Sequence, residues 1–361
     1  MRLEGREIAN GLAFPEGPIA LADGSVIVVE IEGGRLTRVL PSGRKEVIAH
    51  LGGGPNGAAM GPDGKCYVCN NGGFSWHKDR SNFVRPTGRA EDYTSGRIEQ
   101  VDLDTGAVKT LYDSCGGVHL KGPNDIVFDE KGGFWFTDLG KTYGRLMDRG
   151  AVYYARTDGS MIREAIFPIM TPNGVGLSPD GRTLYVSETE TSRIWSYPIV
   201  GEGEVAKEPW PSPNGGRLLH GLPGYQRFDS LAVEESGNIC VATLVRGGIS
   251  VFSPAGDLLE FREADEVYCT NICFGGADMR TAFITLSGTG RLMAVDWPRP
   301  GLALNDPAPR ADRSADPADC AVTAVAPFRD DDRYPINQGM VGWVSISGIQ
   351  PASLRWNSGH P

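Results

Sequence analysis

The sequence contains no apolar run approaching the ~20 residues of a membrane-spanning helix. Nor does an apolar stretch long enough for a secretory signal follow Met1-Arg2-Leu3-Glu4-Gly5-Arg6. A soluble cytoplasmic protein with no membrane partner is the expectation. Positive charge is also short: 35 Lys and Arg face 45 Asp and Glu, a net charge of −10. That balance argues against nucleic acid as a partner and is compatible with a cation site. No Gly-x-Ser-x-Gly elbow occurs, so a serine triad is not expected. Cysteine offers little metal chemistry. Cys66 and Cys69 form a Cys-x-x-Cys, but within a strand-like run, Lys65 to Asn70. Residues three apart on a strand face opposite sides. No second pair follows, so the thiols are expected to be structural.

What the chain has in quantity is glycine, 49 residues, between short apolar runs. That texture suits strands and turns. One pattern recurs six times: a polar residue, usually after Pro, then an apolar run, a Gly turn and a second apolar run. Its polar positions are Glu16, Asn56, Asn124, Asn173, Asp229 and Asn271. Five copies place a Gly eight residues on, at Gly24, Gly64, Gly132, Gly181 and Gly237, and the sixth has Met279. A unit returning at roughly 40–50 residues is the mark of a β-propeller. An all-β, six-bladed propeller is therefore expected over residues 1–300. Its ring should close by pairing Glu7-Ile8-Ala9 with Arg291 to Asp296, because an open sheet edge invites aggregation. Residues 301–361, rich in Pro, Ala and Asp, read as a disordered tail.

In a propeller the first strand of each blade lines the channel, so the six polar residues should share one mouth. A lone Pro-Asn-Gly reads as a turn, but six copies in register, one of them Glu, favour a ring. Two carboxylates and several amide oxygens suit a hard cation, and calcium takes 6–8 oxygen ligands. One divalent cation is expected, Ca2+ ahead of Zn2+, Mg2+ or Mn2+.

Five segments resemble the gluconolactonase / senescence-marker-protein (regucalcin-like) family. They are Phe14-Pro15-Glu16-Gly17-Pro18, Gly122 to Val127, Thr171 to Val175, Phe228 to Val233 and Thr270 to Gly276. That family also includes luciferin-regenerating enzyme and diisopropylfluorophosphatase-like hydrolases. The resemblance implies a six-bladed propeller with one catalytic divalent cation. It carries Glu16, Asn173 and Asp229 over as metal ligands, and Asn124 as a fourth ligand or a substrate contact. Members like regucalcin carry Arg two residues before the matching Asn; here that residue is Gly122.

The function expected is a metal-dependent hydrolase of a sugar-type lactone, with Asp229 directing the attacking water and a small-molecule lactone as the partner. A phosphotriesterase-like hydrolase, or a calcium-binding propeller without catalysis, are the alternatives. Monomer or weak homo-oligomer is the expected state. Strand direction puts four long connections on the metal side: Gly72 to Arg97, Asp113 to Pro123, Leu139 to Gly150 and Pro209 to Phe228. They should form a lid. Asn124, Asn56, Asn271, Trp76, His119 and Tyr143 are the candidate substrate contacts, while His77, His119 and His220 otherwise read as surface residues.

Overall fold

The computed structural model describes residues 1–304. Apart from its first four residues, the tail expected over 301–361 lies outside them. Every regular element among the described residues is a β-strand. Six antiparallel sheets follow one another along the chain. Blade one is Pro15–Ala20, Val26–Glu30, Arg35–Val39 and Lys45–His50. The inner strands of the others are Pro55–Met60, Pro123–Phe128, Pro172–Leu177, Arg227–Val233 and Cys269–Gly275. Each inner strand packs on the next, and the sixth returns to the first, which closes the ring. The chain ends seal blade six as expected: Gly5–Ala9 pairs antiparallel with Arg291–Asp296, in the register Gly5↔Val295 and Glu7↔Met293.

The repeat reflects backbone geometry. The glycines eight residues on all have left-handed φ, 81° at Gly24, 74° at Gly64, 84° at Gly132, 67° at Gly181 and 87° at Gly237. Met279 occupies the same turn with φ 56°. A side chain there costs roughly 1–2 kcal/mol.

The core lies between blades, so the middle strands are apolar on both faces. Cys66 and Val68 pack with Ile27, Val29 and Leu36 of blade one, while Tyr67 and Cys69 pack with Phe128, Phe134 and Phe136 of blade three. The Cys-x-x-Cys pair thus splits between two cores, as strand alternation requires. Beyond the last strand, Trp297 and Arg299 both bond the buried Glu234, at 2.7 and 2.6 Å. Gly301 and Leu302 then donate to the carbonyls of Met279 and Val233, each at 2.8 Å.

Two expected loops are hairpins. Gly72 to Arg97 folds as Phe74–Lys78 against Val84–Arg89, and Leu139 to Gly150 holds a small pair, Thr142–Tyr143 with Leu146–Met147. Pro209 to Phe228 departs from the expectation. Arg217–Gly221 within it is the outer strand of blade four, so only its last few residues reach the metal side.

Candidate active site

Every inner strand has an irregular register in its first residues, at or beside the ring position. Such irregularities re-aim side chains out of the ladder. They turn Glu16, Asn56, Asn124, Asn173, Asp229 and Asn271 towards the channel. The glycine after two of these residues serves close approach between blades, in keeping with the ring and not the turn alternative for Asn-Gly. A Cβ at Gly57 would stand 2.3 Å from the carbonyl oxygen of Asn124, and one at Gly174 would stand 2.6 Å from the nitrogen of Leu231.

Five of the six ring residues are buried, and Asp229 alone keeps partial exposure. Glu16 Oε2 accepts from the Gly17 N–H and from Asn271 Nδ2, both at 2.6 Å. Its Oε1 is buried without a partner, and so is Asn124 Oδ1. Asn173 is oriented by its neighbours: its Nδ2 donates to Thr189 Oγ1 at 3.0 Å, and Ser230 Oγ donates to its Oδ1 at 3.4 Å. Burial pushes Glu16 up to about 7, against the pull of Asn271 and Gly17. Burial of its carboxyl, and then the charge of Glu16, push Asp229 well above the ordinary carboxylate value, although the residue as a whole keeps some exposure. Neither has a cation paired with it among the described residues.

A third carboxylate belongs here and was not among the candidates. Asp125, fully buried beside Asn124, accepts from Val175 N–H at 3.2 Å and Ile126 N–H at 3.0 Å, tying blade three to blade four. Burial and the charge of Glu16 push it up to about 8. At the head of the run Asp125 to Phe128 it read as an ordinary strand residue.

These observations test whether a divalent cation suits the site. Two buried oxygens lack donors, and carboxylates are held together without a counter-charge. The donor set is all oxygen, with no His or Cys; no three His, Cys, Asp or Glu among the described residues come close enough to hold a metal by themselves, so a cation here needs the amide oxygens as well as Glu16 and Asp229. A hard, oxygen-seeking cation fits this set.

The hairpin Phe74–Arg89 lies across the ring end of the blades. Trp76 packs on Phe14 at 4.9 Å, two residues before Glu16. Val84 N–H donates to Gly288 O at 2.8 Å in blade six, and Phe83 stacks near Tyr268 at 5.6 Å. Towards blade three, Arg89 lies 4.3 Å from the Tyr143 ring. Trp76 therefore lies beside the start of the first inner strand, and Tyr143 lies against the blade-three end of the hairpin.

His119 is exposed instead, on the hairpin Ser114–Cys115 / Val118–His119, whose Cys115 Sγ reaches Ile162 O on the outer strand of blade three. Asn271 is committed to Glu16 and to the Ile272 N–H, which makes it a positioning residue more than a substrate contact. Asn56 has no side-chain hydrogen bond among the described residues and stays available. His220 is held by Gly256 O at 2.9 Å in the outer strand of blade four, and His77 is exposed.

The sequence profile of the SMP-30/Gluconolactonase/LRE-like family matches residues 14–288. The chain belongs to that family. Among its relatives, lactonase drp35 of Staphylococcus saprophyticus is 28% identical over 242 residues, covering 65% of this chain and 66% of that protein. The match thus spans just under two thirds of the relative's length. Gluconolactonase of Zymomonas mobilis is 25% identical over 308 residues, 78% of each chain. Among solved structures, the calcium-binding protein regucalcin of Agrobacterium tumefaciens superposes with a TM-score of 0.63 at 19% identity, over 84% of this chain and 99% of the other. That similarity confirms the propeller.

This family member also has a second set of buried polar residues that sequence reading missed. They end the second strand of blades one to four, opposite the residue before the ring position: Pro15↔Glu30, Pro55↔Asn70, Pro123↔Asp138, Pro172↔Glu188. Each brackets the incoming connection by accepting its N–H groups. Glu30 takes Ala13 N–H at 2.7 Å, Asn70 takes Gly54 at 2.9 Å, and Asp138 takes Lys121 at 2.7 Å and Gly122 at 2.6 Å. Glu188 takes Met170 N–H at 3.1 Å. The signal was the near-constant spacing of 14 or 15 residues from the ring positions of blades one to four.

Proposed function

We propose that the chain is a divalent-cation-dependent hydrolase that opens a sugar-type or related lactone. The observation that carries this reading is the pair of partnerless buried oxygens, Glu16 Oε1 and Asn124 Oδ1, among carboxylates with no counter-charge. The lactonase and gluconolactonase relatives support the choice of reaction. Glu16, Asn124, Asn173 and Asp229 would hold the cation, with Ca2+ the best match to an all-oxygen set. When bound, it would supply Lewis-acid stabilisation to the developing oxyanion.

The chain's own residues do the rest. Asn271 fixes the Glu16 carboxylate, and Thr189 and Ser230 fix the Asn173 amide. Asp229, the ring residue open to the mouth, accepts a proton from the attacking water. Asn56, Asn124, Trp76 and Tyr143 would contact the sugar. The hairpin Phe74–Arg89 limits water at the mouth and sets substrate choice.

A pH-indicator assay on a panel of sugar lactones, with and without chelator, tests the reading. Turnover should vanish with chelator and return with added metal. Asp229→Asn should keep the fold and lose about 10²–10⁴-fold in turnover. Hydrolysis of a phosphotriester but no lactone would move the reading to the sister chemistry. Cation binding with no turnover of either would leave a binding propeller.

A further inference from the structure

Lys141 lies in the blade-three loop, yet its ammonium is spent on blade two. It is buried, 3% exposed. Nζ donates to Asn71 Oδ1 and to Gly73 O, both at 2.9 Å. It also lies 3.9 Å from the ring centroid of Phe74 and 5.4 Å from that of Tyr93. All these partners belong to the segment that makes the lid hairpin or to the residue just before it. Beside this contact the Arg89 guanidinium sits 5.1 Å from Tyr93 and 4.3 Å from Tyr143, a second bridge between the same two segments.

Asn71 connects this bridge to the ring. It follows directly on the strand Cys66–Asn70, as Thr189 follows Thr183–Glu188 in blade four. Thr189 is the residue that accepts from the ring amide of Asn173. Asn71 therefore stands at the same level of blade two, and its Nδ2 is buried without a partner.

We propose that Lys141 is a positioning residue that latches the lid hairpin to the blade-three loop over the channel mouth, and that losing its proton releases the hairpin. Three donors on one nitrogen meet an amide oxygen, a carbonyl oxygen and a ring face, so the charged form is fully used. The neutral amine gives up the attraction to the Phe74 face and the charge assistance of its hydrogen bonds to Asn71 and Gly73, so every contact of the latch weakens together.

The charged and titratable groups around it are Arg89 and Tyr93 on the lid segment and Asp138, Tyr143 and Asp148 on its own side. Burial dominates and brings the ammonium down to about 7, with Asp138 opposing and Arg89 adding to the fall. The latch is thus closed on the acid side of neutrality and open on the basic side. The inference rests on the hairpin's place over the mouth and holds whichever ester is cleaved.

Hydrogen exchange of residues 72–97 in metal-loaded protein tests it. Lys141→Met should exchange about tenfold faster than wild type in this segment at about pH 6, and at nearly the wild-type rate at about pH 8.5. Taking the ratio at each pH removes the intrinsic pH dependence of exchange. Lys141→Arg keeps its charge throughout, so its hairpin should stay protected at both pH values and exchange more slowly than wild type at the higher one.

On a lactone found by the panel, Lys141→Met should raise KM several-fold at about pH 6 with little change in kcat. Wild-type KM should climb towards that value as pH rises. An equal exchange ratio at the two pH values, or an arginine variant that follows wild type at both, overturns the latch. Absence of any lactone turnover would sink the hydrolase reading while the exchange ratios still decide the latch.

Discussion

Two sets of buried polar residues recur from blade to blade, and the protein finishes them differently. The bracket residues at the ends of the second strands are completed within the chain. Glu30 takes a two-pronged Arg35 at 2.7 Å on each oxygen, the Thr37 hydroxyl at 2.6 Å and the Ala13 N–H. Burial pushes Glu30 up, but these partners outweigh it and hold it below the usual carboxylate range. Asn70 makes four hydrogen bonds, to Gly52, Gly54, Gly72 and Glu99.

The ring residues, which lie at the start of the inner strands, pair with no arginine or lysine among the described residues. Glu16 keeps one oxygen bare, Asn124 does the same, and Glu16, Asp125 and Asp229 all rise. Asp138 lies between the two patterns. Burial leaves it raised despite three backbone N–H groups, and its nearest cation is the latch residue Lys141. A buried carboxylate with its own arginine holds structure together. One without a counter-charge is an unmet demand, and a fold sustains that only where something else meets it.

The sharpest way to break this contrast is to remove one carboxylate from each set. Glu30→Ala strands the Arg35 guanidinium and should cost about 3–5 kcal/mol in a denaturant melt. Glu16→Gln, measured in chelator, should be neutral or stabilising, because it removes an uncompensated buried charge. If both variants lost the same stability, the two sets would be one.

The pH dependence should separate them next. Groups held below their unfolded value contribute stability that is present above about pH 4.5 and lost as pH falls. Glu30 and Glu234 are of this kind; Glu234, burial notwithstanding, is held down by Arg299, Trp297 and Asn238. Glu16 and Asp125 have the opposite sign. The folded state binds their protons more tightly, so in chelator stability should decline as pH rises from about 4.5 to about 7 and 8. The Glu16 shift alone corresponds to about 3 kcal/mol. Added calcium should flatten this neutral limb and leave the acid limb alone. Calorimetric melts across pH, with and without metal, would show it.

A smaller contrast involves two asparagines of blade two. Asn70→Ala removes four hydrogen bonds and should cost about 1–3 kcal/mol. Asn56→Ala, which loses none among the described residues, should cost less, no more than about 1 kcal/mol. Chemical denaturation of the two variants side by side checks this.

The blade count, the ring positions and the closure by Gly5–Ala9 were legible because each is written six times or forced by a sheet edge. The left-handed turns were legible because five carry glycine, and Met279 shows how geometry persists where that mark is lost. The bracket set was hidden because its members differ in type, Glu30, Asn70, Asp138 and Glu188, and each looks like a strand ending in a polar residue. The lid hairpin carries no Asn-Gly or Asp-Gly turn to announce it; Asp79 caps the turn from its side chain, taking Ser81 and Phe83 N–H groups at 2.8 and 3.1 Å. His119 was misplaced because a short hairpin turned it outward. Lys141 was invisible for a different reason: its partners, Asn71 to Phe74, are contributed by another blade, and no local pattern pairs them.

The most direct test of the ring as a cation site is a thermal melt of chelator-treated protein, titrated with Ca2+, for wild type and Glu16→Gln. Binding to the folded state alone should stabilise wild type by about 2.7 kcal/mol at a hundredfold excess over Kd, a rise of several degrees in Tm. The variant should show most of that rise missing. An equal rise in both proteins, or none in wild type across the divalent cations, would contradict the account.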